Sequence, residues 1–331
     1  MQNILKRIQV KGGDGSVRLS PFVYMAAILN ATIVGLSFLF TKIALEATSP
    51  SDTLGYRFLI AWFLLTIYMK KSKQKFNLQV KDKKTILTLI VLALFYPILF
   101  FSFQAWGLKY TTSAECGIIL AFSPALTALF AAIFIKEKLN AMQISFIFLS
   151  IFGVVYIFLM NGMAIQVSQA KLLGIVFLVI SCVSVSGYSV SARFLSVKYT
   201  PIQLTYIMIT FGMIFFNLYA IGVKMAEGSV LDYFTLFTNV EFILAVIFLG
   251  VLSTLLTSFL SNYILSKLSA SKSSIFTNLS TIISIAAGAI VLKESIEYYH
   301  IIGSMMIIFG VLGTNLYKGK NQKKMGIRKV S

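Results

Sequence analysis

One tetrapeptide occurs twice, 157 positions apart, and this recurrence constrains the fold more than any other feature of the chain. Ile151-Phe152-Gly153-Val154 returns as Ile308-Phe309-Gly310-Val311. Fifteen residues ahead of each copy stands a Lys-Glu pair, Lys136-Glu137 and Lys293-Glu294. Ser123, Ala132 and Ile133 recur at the same shift as Ser280, Ala289 and Ile290. The chain therefore reads as a tandem duplication of roughly 150 residues per copy. Each copy contains five apolar runs. An odd number makes the second copy enter a bilayer from the opposite side, the inverted-repeat arrangement that places a binding site near the membrane midplane in transporters.

Composition settles the class. Hydrophobic residues make up 58% of the 331 residues and charged residues 12%, with a mean hydropathy of +0.86; soluble domains hold roughly 45–50% and about 25%. Apolar runs long enough to cross a bilayer fall at approximately 22–45, 53–69, 86–107, 111–135, 142–160, 172–195, 200–222, 241–264, 270–292 and 298–317. The expected fold is an all-α integral membrane protein of ten transmembrane helices in two inverted five-helix repeats. A tail at 1–21 precedes the first repeat at 22–160; the second repeat occupies 172–317, and a basic tail 318–331. With the N-terminus in the cytoplasm, inside segments hold 23 lysines and arginines and outside segments hold 4. That asymmetry predicts a multi-pass protein of the cytoplasmic membrane with both termini cytoplasmic. It also accounts for the formal net charge of +18 through topogenesis and attraction to anionic membrane lipids, with no nucleic-acid partner. Cys116 and Cys182 lie inside apolar runs and read as packing residues.

Proline and small residues mark how the spans meet. Pro50 and Pro201 precede the second and seventh spans, where proline suits a helix start. Pro97 and Pro124 sit inside spans three and four and predict kinks. Gly117, Ala121 and Ala125, then Ser280, Ser284 and Gly288, then Gly303, Gly310 and Gly313, predict close helix contacts. Spans five and ten carry few polar groups, which places them peripherally or at a homodimer contact.

In lipid, a polar stripe must face another helix or a cavity. Asn30, Ser37 and Thr41 share a face of span one; Ser181, Ser184, Tyr188 and Ser191 share a face of span six. Span eight carries Ser253, Thr254, Thr257, Ser258, Ser261 and Asn262; span nine Thr277, Asn278, Ser280 and Thr281. Shifted by 157, Tyr96, Pro97 and Gln104 correspond to Ser253, Thr254 and Ser261. One copy thus presents an aromatic surface and the other a hydroxyl-rich one. The expected substrate contacts are Asn30, Ser37, Tyr96, Gln104, Ser184, Tyr188, Thr254, Thr257, Asn278 and Thr281.

Intramembrane charges are few and point to function. Lys42 and Arg57 lie near one end of spans one and two, and Glu115 about a turn into span four. Arg57 and Glu115 are expected to form a gate or coupling pair at that end, with Lys42 an alternative partner. The midplane then holds no charge, so a neutral or zwitterionic substrate is expected. No Gly-x4-Gly-Lys-Ser/Thr loop, paired acidic motif or metal-ligand cluster is present, and neither cofactor nor metal is expected. Gly187-Tyr188-Ser189 with His300, the single histidine, is the closest approach to a serine hydrolase, but Ser191 stands where the motif requires glycine.

With these residues in view, the chain resembles the EamA-type permeases of the drug/metabolite transporter superfamily over about residues 22–317. The resemblance rests on Ile135-Lys136-Glu137 and Leu292-Lys293-Glu294 before each Ile-Phe-Gly-Val span, Gly35 with Lys42, Arg57 after Pro50, and Pro124. Val34 departs from the tryptophan of many relatives, and Thr281 replaces the second copy's proline. The resemblance implies a ten-helix carrier whose cavity is formed by spans 1, 3, 4, 6, 8 and 9. It also implies export or facilitated movement of small metabolites, often amino acids or their relatives, by alternating access. A membrane-embedded lipid-modifying enzyme and a passive channel are the competing expectations.

Overall fold

The structure is a computed structural model that describes residues 21–71, 83–134, 136, 139–163, 168–195, 200–267 and 270–316. The basic tails and the 72–82 connection lie outside the described residues, as do Glu137 and the side chains of Asn262 and Thr277. Every regular element among the described residues is helical. Helix α1 spans Pro21–Ala47 and α2 Pro50–Lys71. Helix α3 (Lys83–Ala93) widens into a π-helical stretch, Leu94–Leu99, and continues as α4 (Phe100–Tyr110). Helices α5 (Ser113–Leu120), α6 (Ser123–Phe134) and α7 (Ala141–Met163) complete the first copy. The second copy holds α8 (Gln169–Leu195), α9 (Pro201–Ala226) and a short α10 (Val230–Thr235). Helix α11 (Val240–Ile247) then passes through π-helical Phe248–Leu256 into α12 (Thr257–Lys267). Helices α13 (Ala270–Val291) and α14 (Tyr298–Leu316) end the fold.

Eight of these helical runs are long and apolar enough to cross a membrane. Pro50–Lys71, which carries Asp52, Arg57, Lys70 and Lys71, is not among them, and within α13 Asn278–Val291 forms a shorter apolar stretch. Large apolar side chains such as Phe148, Phe152, Leu218 and Phe309 are exposed on the outside of the bundle. In water such a surface would aggregate; in lipid it is the solvated face.

Local chemistry explains the breaks. Thr112 and Glu115 form a reciprocal capping box at the start of α5, and Thr200 and Gln203 do the same for α9, where Pro201 takes the first helical position. Pro124 does not kink a continuous span: α5 ends at Leu120, Ala121 and Phe122 turn, and Pro124 sits in the first turn of α6, where its missing amide costs nothing. With Thr281 in the corresponding place, α13 runs unbroken. Tyr96 precedes Pro97, which disfavours the helical conformation, and it adopts φ −148°, ψ 115° inside the first π-helical stretch.

Several features recur in both copies. The two π-helical stretches overlap at the 157-residue shift. Lys136 and Lys293 both have positive φ, 58° and 52°, a left-handed turn that few non-glycine residues adopt.

Equivalent helices also pack on one another, and each such pair runs antiparallel. On α7 and α14, Gln143 lies against Thr314, Ser150 against Ile307 and Gly153 against Gly303. On α5 and α13, Ser113 meets Ser284 and Gly117 meets Thr281. On α2 and α9, Gly55 meets Asn217 and Thr66 meets Tyr206. The small residues of spans five and ten thus serve a contact within the chain. A β-carbon on Gly153 would lie 2.9 Å from the Gly303 carbonyl oxygen, and one on Gly310 would lie 2.5 Å from that of Phe146. Gly310→Ala should therefore destabilise the protein by about 1–3 kcal/mol through overpacking. Gly222→Ala, where nothing lies within 4 Å, should be neutral or stabilising by up to about 1 kcal/mol; thermal unfolding of the two variants in detergent checks the contrast.

Candidate functional site

Between the two copies lies a cavity of about 510 Å³. Both π-helical stretches face it, and all six residues paired by the 157-residue shift line it: Tyr96, Pro97 and Gln104 on one side, Ser253, Thr254 and Ser261 on the other. Ser37, Tyr188 and Thr257 complete the expected contacts on the wall, and Arg57, expected at one end, lies there too. Phe100, Phe101 and Tyr188 gather around Tyr96, the Tyr96 and Tyr188 ring centroids lying 4.8 Å apart. Wide helical turns of this kind often mark functional sites, because they free backbone groups and re-aim side chains without ending the helix.

Four expected contacts are absent from the wall. Asn30 accepts a 3.4 Å hydrogen bond from the Ser261 hydroxyl. Ser184 donates to the Ile180 carbonyl within its own helix, and Thr281 to the Gly117 carbonyl across the α5–α13 contact. Asn278 is buried, and neither atom of its amide has a hydrogen-bond partner. Of these, Asn30 and Thr281 engage neighbouring helices and Ser184 its own backbone. Thr205 and Ser123, which do line the cavity, were not expected there. Thr205 is a lone hydroxyl without a stripe around it, and Ser123 carried only a repeat signal.

Arg57 and Glu115 do not pair. The Arg57 guanidinium, 3% exposed, turns into the cavity wall and donates from Nε to Thr254 Oγ1 and from Nη2 to Ser253 Oγ, both at 3.1 Å. It also sits 4.4 Å from the centroid of the Phe101 ring. Among the described residues no carboxylate forms an ion pair with it. The expectation of an uncharged chamber is thereby corrected: Arg57 places a fixed cation on its wall.

Glu115, fully buried, belongs instead to a charged cluster where α4 joins α5 and α13 joins α14. One carboxylate oxygen accepts from the Thr112 amide at 3.0 Å. The other takes Lys171 Nζ at 3.0 Å and His300 Nε2 at 3.1 Å. His300 Nδ1 accepts from the Glu297 amide, which assigns the ring proton to Nε2. Beside it Glu294 accepts from the Ser113 amide (2.7 Å), the Ser113 hydroxyl (2.9 Å) and the Ala114 amide (3.2 Å), an anion held on the N-terminus of α5. The amides of Leu292 and Glu294 both return to the Gly288 carbonyl, and this left-handed turn at Lys293 aims the Glu294 carboxylate across the copies. Lys42 neither snorkels nor pairs with Glu115; its Nζ binds the Leu108 and Thr111 carbonyls at 2.8 and 2.6 Å, at the C-terminus of α4.

Further contacts close the same end. Asp52 pairs with Lys224 at 3.7 Å and accepts from Thr48. Tyr56 donates to the Tyr233 carbonyl, while Tyr233 donates to Asn217. Burial raises the Tyr233 phenol above its ordinary value, which keeps that donor protonated. An interhelical hydroxyl bond in a membrane protein averages roughly 0.6 kcal/mol, whereas a hydrogen bond to a charged group contributes about 1.5–3 kcal/mol. The carboxylates, then, hold this end of the two copies together. Ser189 and His300 do not meet: His300 joins Lys171 through Glu115, and Ser189 lies 18 residues beyond Lys171 on α8, about 27 Å along the axis. The described residues contain no group of three or more metal-ligating side chains.

Comparison with known proteins fits this geometry. The model of the EamA-like transporter family matches residues 21–159 and 172–316. The chain is 43% identical over 304 residues to the uncharacterized transporter YcxC of Bacillus subtilis (strain 168), covering 92% of this chain and 96% of that protein. It is 25% identical over 311 residues to YetK, an uncharacterized transporter of the same organism, covering 93% and 91%. A crystal structure with 18% sequence identity shares the fold at a TM-score of 0.58, over 89% of this chain and 96% of the other. The chain is a multi-pass membrane transporter and not an enzyme, and it belongs to the EamA-like transporter family.

Proposed function

We propose that the chain is a secondary transporter that moves a small organic metabolite, amino-acid-like or aromatic, across the cytoplasmic membrane by alternating access. In this reading ten spans form two inverted five-helix copies, α2 and α13 included, with both termini cytoplasmic. Export is the direction proposed, following the family resemblance. The observation that carries the reading is a chamber lined by equivalent residues of both copies, next to one end where hydrogen-bonded carboxylates tie the copies together. Antiparallel packing of three equivalent helix pairs supports the inverted arrangement, because a half turn about one axis converts each helix of a pair into the other. Placed by the charge asymmetry, the Glu115 end faces outward, and the conformation is closed on that side. A zwitterion remains a suitable substrate because it brings a carboxylate to Arg57; a neutral molecule would leave that cation uncompensated.

Three outcomes follow. Cysteines placed at exposed Lys136 and Lys293 should react with a membrane-impermeant thiol reagent from opposite faces of the cell envelope. The two native cysteines are fully buried and leave the background low. Labelling of both from one face removes the inverted arrangement. Tyr96→Ala and Tyr188→Ala should each lower transport efficiency by about 2- to 10-fold, the worth of an aromatic contact, while the protein still reaches the membrane; saturable counterflow in proteoliposomes measures this and separates a carrier from a channel. Glu294→Gln should loosen the closed end. A cysteine at Ser37 should then react with an external reagent about tenfold faster or more, the loss of at least one charge-assisted hydrogen bond.

A further inference from the structure

The chamber wall holds a cation, Arg57, that forms no ion pair among the described residues. A guanidinium carries its charge at any accessible pH and presents five N–H donors in a planar fork. Arg57 uses two of them on the neutral hydroxyls of Ser253 and Thr254. The nearby carboxylates are committed elsewhere: Asp52 to Thr48 and Lys224, Glu115 to Lys171 and His300, Glu294 to the start of α5. A buried charge at membrane depth is costly and is retained where a function uses it.

We propose that Arg57 is the receptor for a carboxylate on the transported molecule, so that the chamber selects organic carboxylates with an aromatic or bulky apolar body. The proposal rests on the transporter reading and names the substrate class of that same site. Two parallel N–H···O bonds from a guanidinium suit the planar geometry of a carboxylate, and the hydroxyls of Ser253 and Thr254 hold the fork in place. Tyr96, Phe100 and Tyr188 offer ring surface beside it for the rest of the molecule. A cationic ligand without an acid group would meet Arg57 with like charge and no acidic side chain on the wall to offset it.

The test compares four probes with the same aromatic body: 3-phenylpropionate, phenylalanine, phenethylamine and 3-phenylpropanamide. Binding to the purified full-length protein is read by thermal stabilisation, and transport by counterflow in proteoliposomes. The two carboxylates should bind and phenethylamine should not. Arg57→Gln should weaken carboxylate binding by about 30-fold or more, the effect of truncating one member of a buried charge pair, with Arg57→Lys intermediate. If Arg57→Gln fails to fold, the order of the four probes on the wild-type protein decides. Equal binding of amine, amide and acid, or binding of none, overturns the carboxylate assignment. Saturable counterflow of a neutral or cationic compound would overturn it too, while leaving the transporter reading intact.

Discussion

A carboxylate buried in lipid has no water to return to, and the way this chain satisfies buried Glu115 and half-buried Glu294 decides how its two copies meet. Both are held at the first turn of α5. Glu115 is part of its own capping box, and Glu294 reaches the exposed amides of Ser113 and Ala114 from the other copy. The N-terminus of a helix carries partial positive charge and unpaired donors. Two carboxylates at so short a helix would repel one another, but the Lys171 ammonium offsets the charge of Glu115 and the His300 Nε2–H donates to it. The result is a hydrogen-bonded plug that joins residues far apart in sequence. Removing any member leaves a buried charge or amide unpaired, so the cluster behaves as a unit.

Duplication explains why the remaining contacts are so economical in chemistry. Where two equivalent helices pack on each other, one small-residue face serves both sides. Gly153 against Gly303 and Gly310 against Phe146 are the same contact viewed from opposite copies, since the 157-residue shift exchanges them. Close backbone approach drives association in membranes, where lipid removes most of the hydrophobic incentive. Both π-helical stretches, which overlap at the same shift, border the central cavity. Equivalent backbone geometry there carries different side chains, aromatic in one copy and hydroxylic in the other. The chamber is thus asymmetric in chemistry, which suits a ligand with one apolar and one polar end.

Much of this was legible in the sequence, for identifiable reasons. Apolar runs leave helices as the only open-ended solution in lipid, and the 157-residue shift aligned Tyr96, Pro97 and Gln104 with Ser253, Thr254 and Ser261 before any coordinates did. Depth along a span was also readable, which placed Glu115 near one end. Azimuth was not. Asn278 and Thr281 belong to a polar stripe beside cavity-lining Ser280, yet a hydroxyl can satisfy a carbonyl of its own or a neighbouring helix, so polarity alone cannot separate a cavity face from a contact face. Arg57 was misplaced for a similar reason. Seven residues into α2 it could have reached either the end of the bundle or its centre, and only the positions of Phe101, Ser253 and Thr254 determine which.

The location of charge connects the closed end to the chamber. Every acidic group with a described ion pair, Asp52, Glu115 and Glu227, lies at the Glu115 end with its lysine or histidine partner, and Glu294 joins them through backbone donors. Arg57 stands about two turns deeper than Pro50 and between one and two turns deeper than Asp52, facing hydroxyls and rings. Segregating the anions at the seam leaves Arg57 as the charge nearest the cavity, because none of the paired carboxylates lies on its wall, and the interaction of charges falls with distance. The same carboxylates that close one end are therefore unavailable to neutralise Arg57. Had Glu115 turned toward Arg57, the seam would have lost its central anion and the chamber its fixed charge. The observed geometry keeps the two tasks on separate groups, one set binding the copies to each other and one residue left to meet what passes between them.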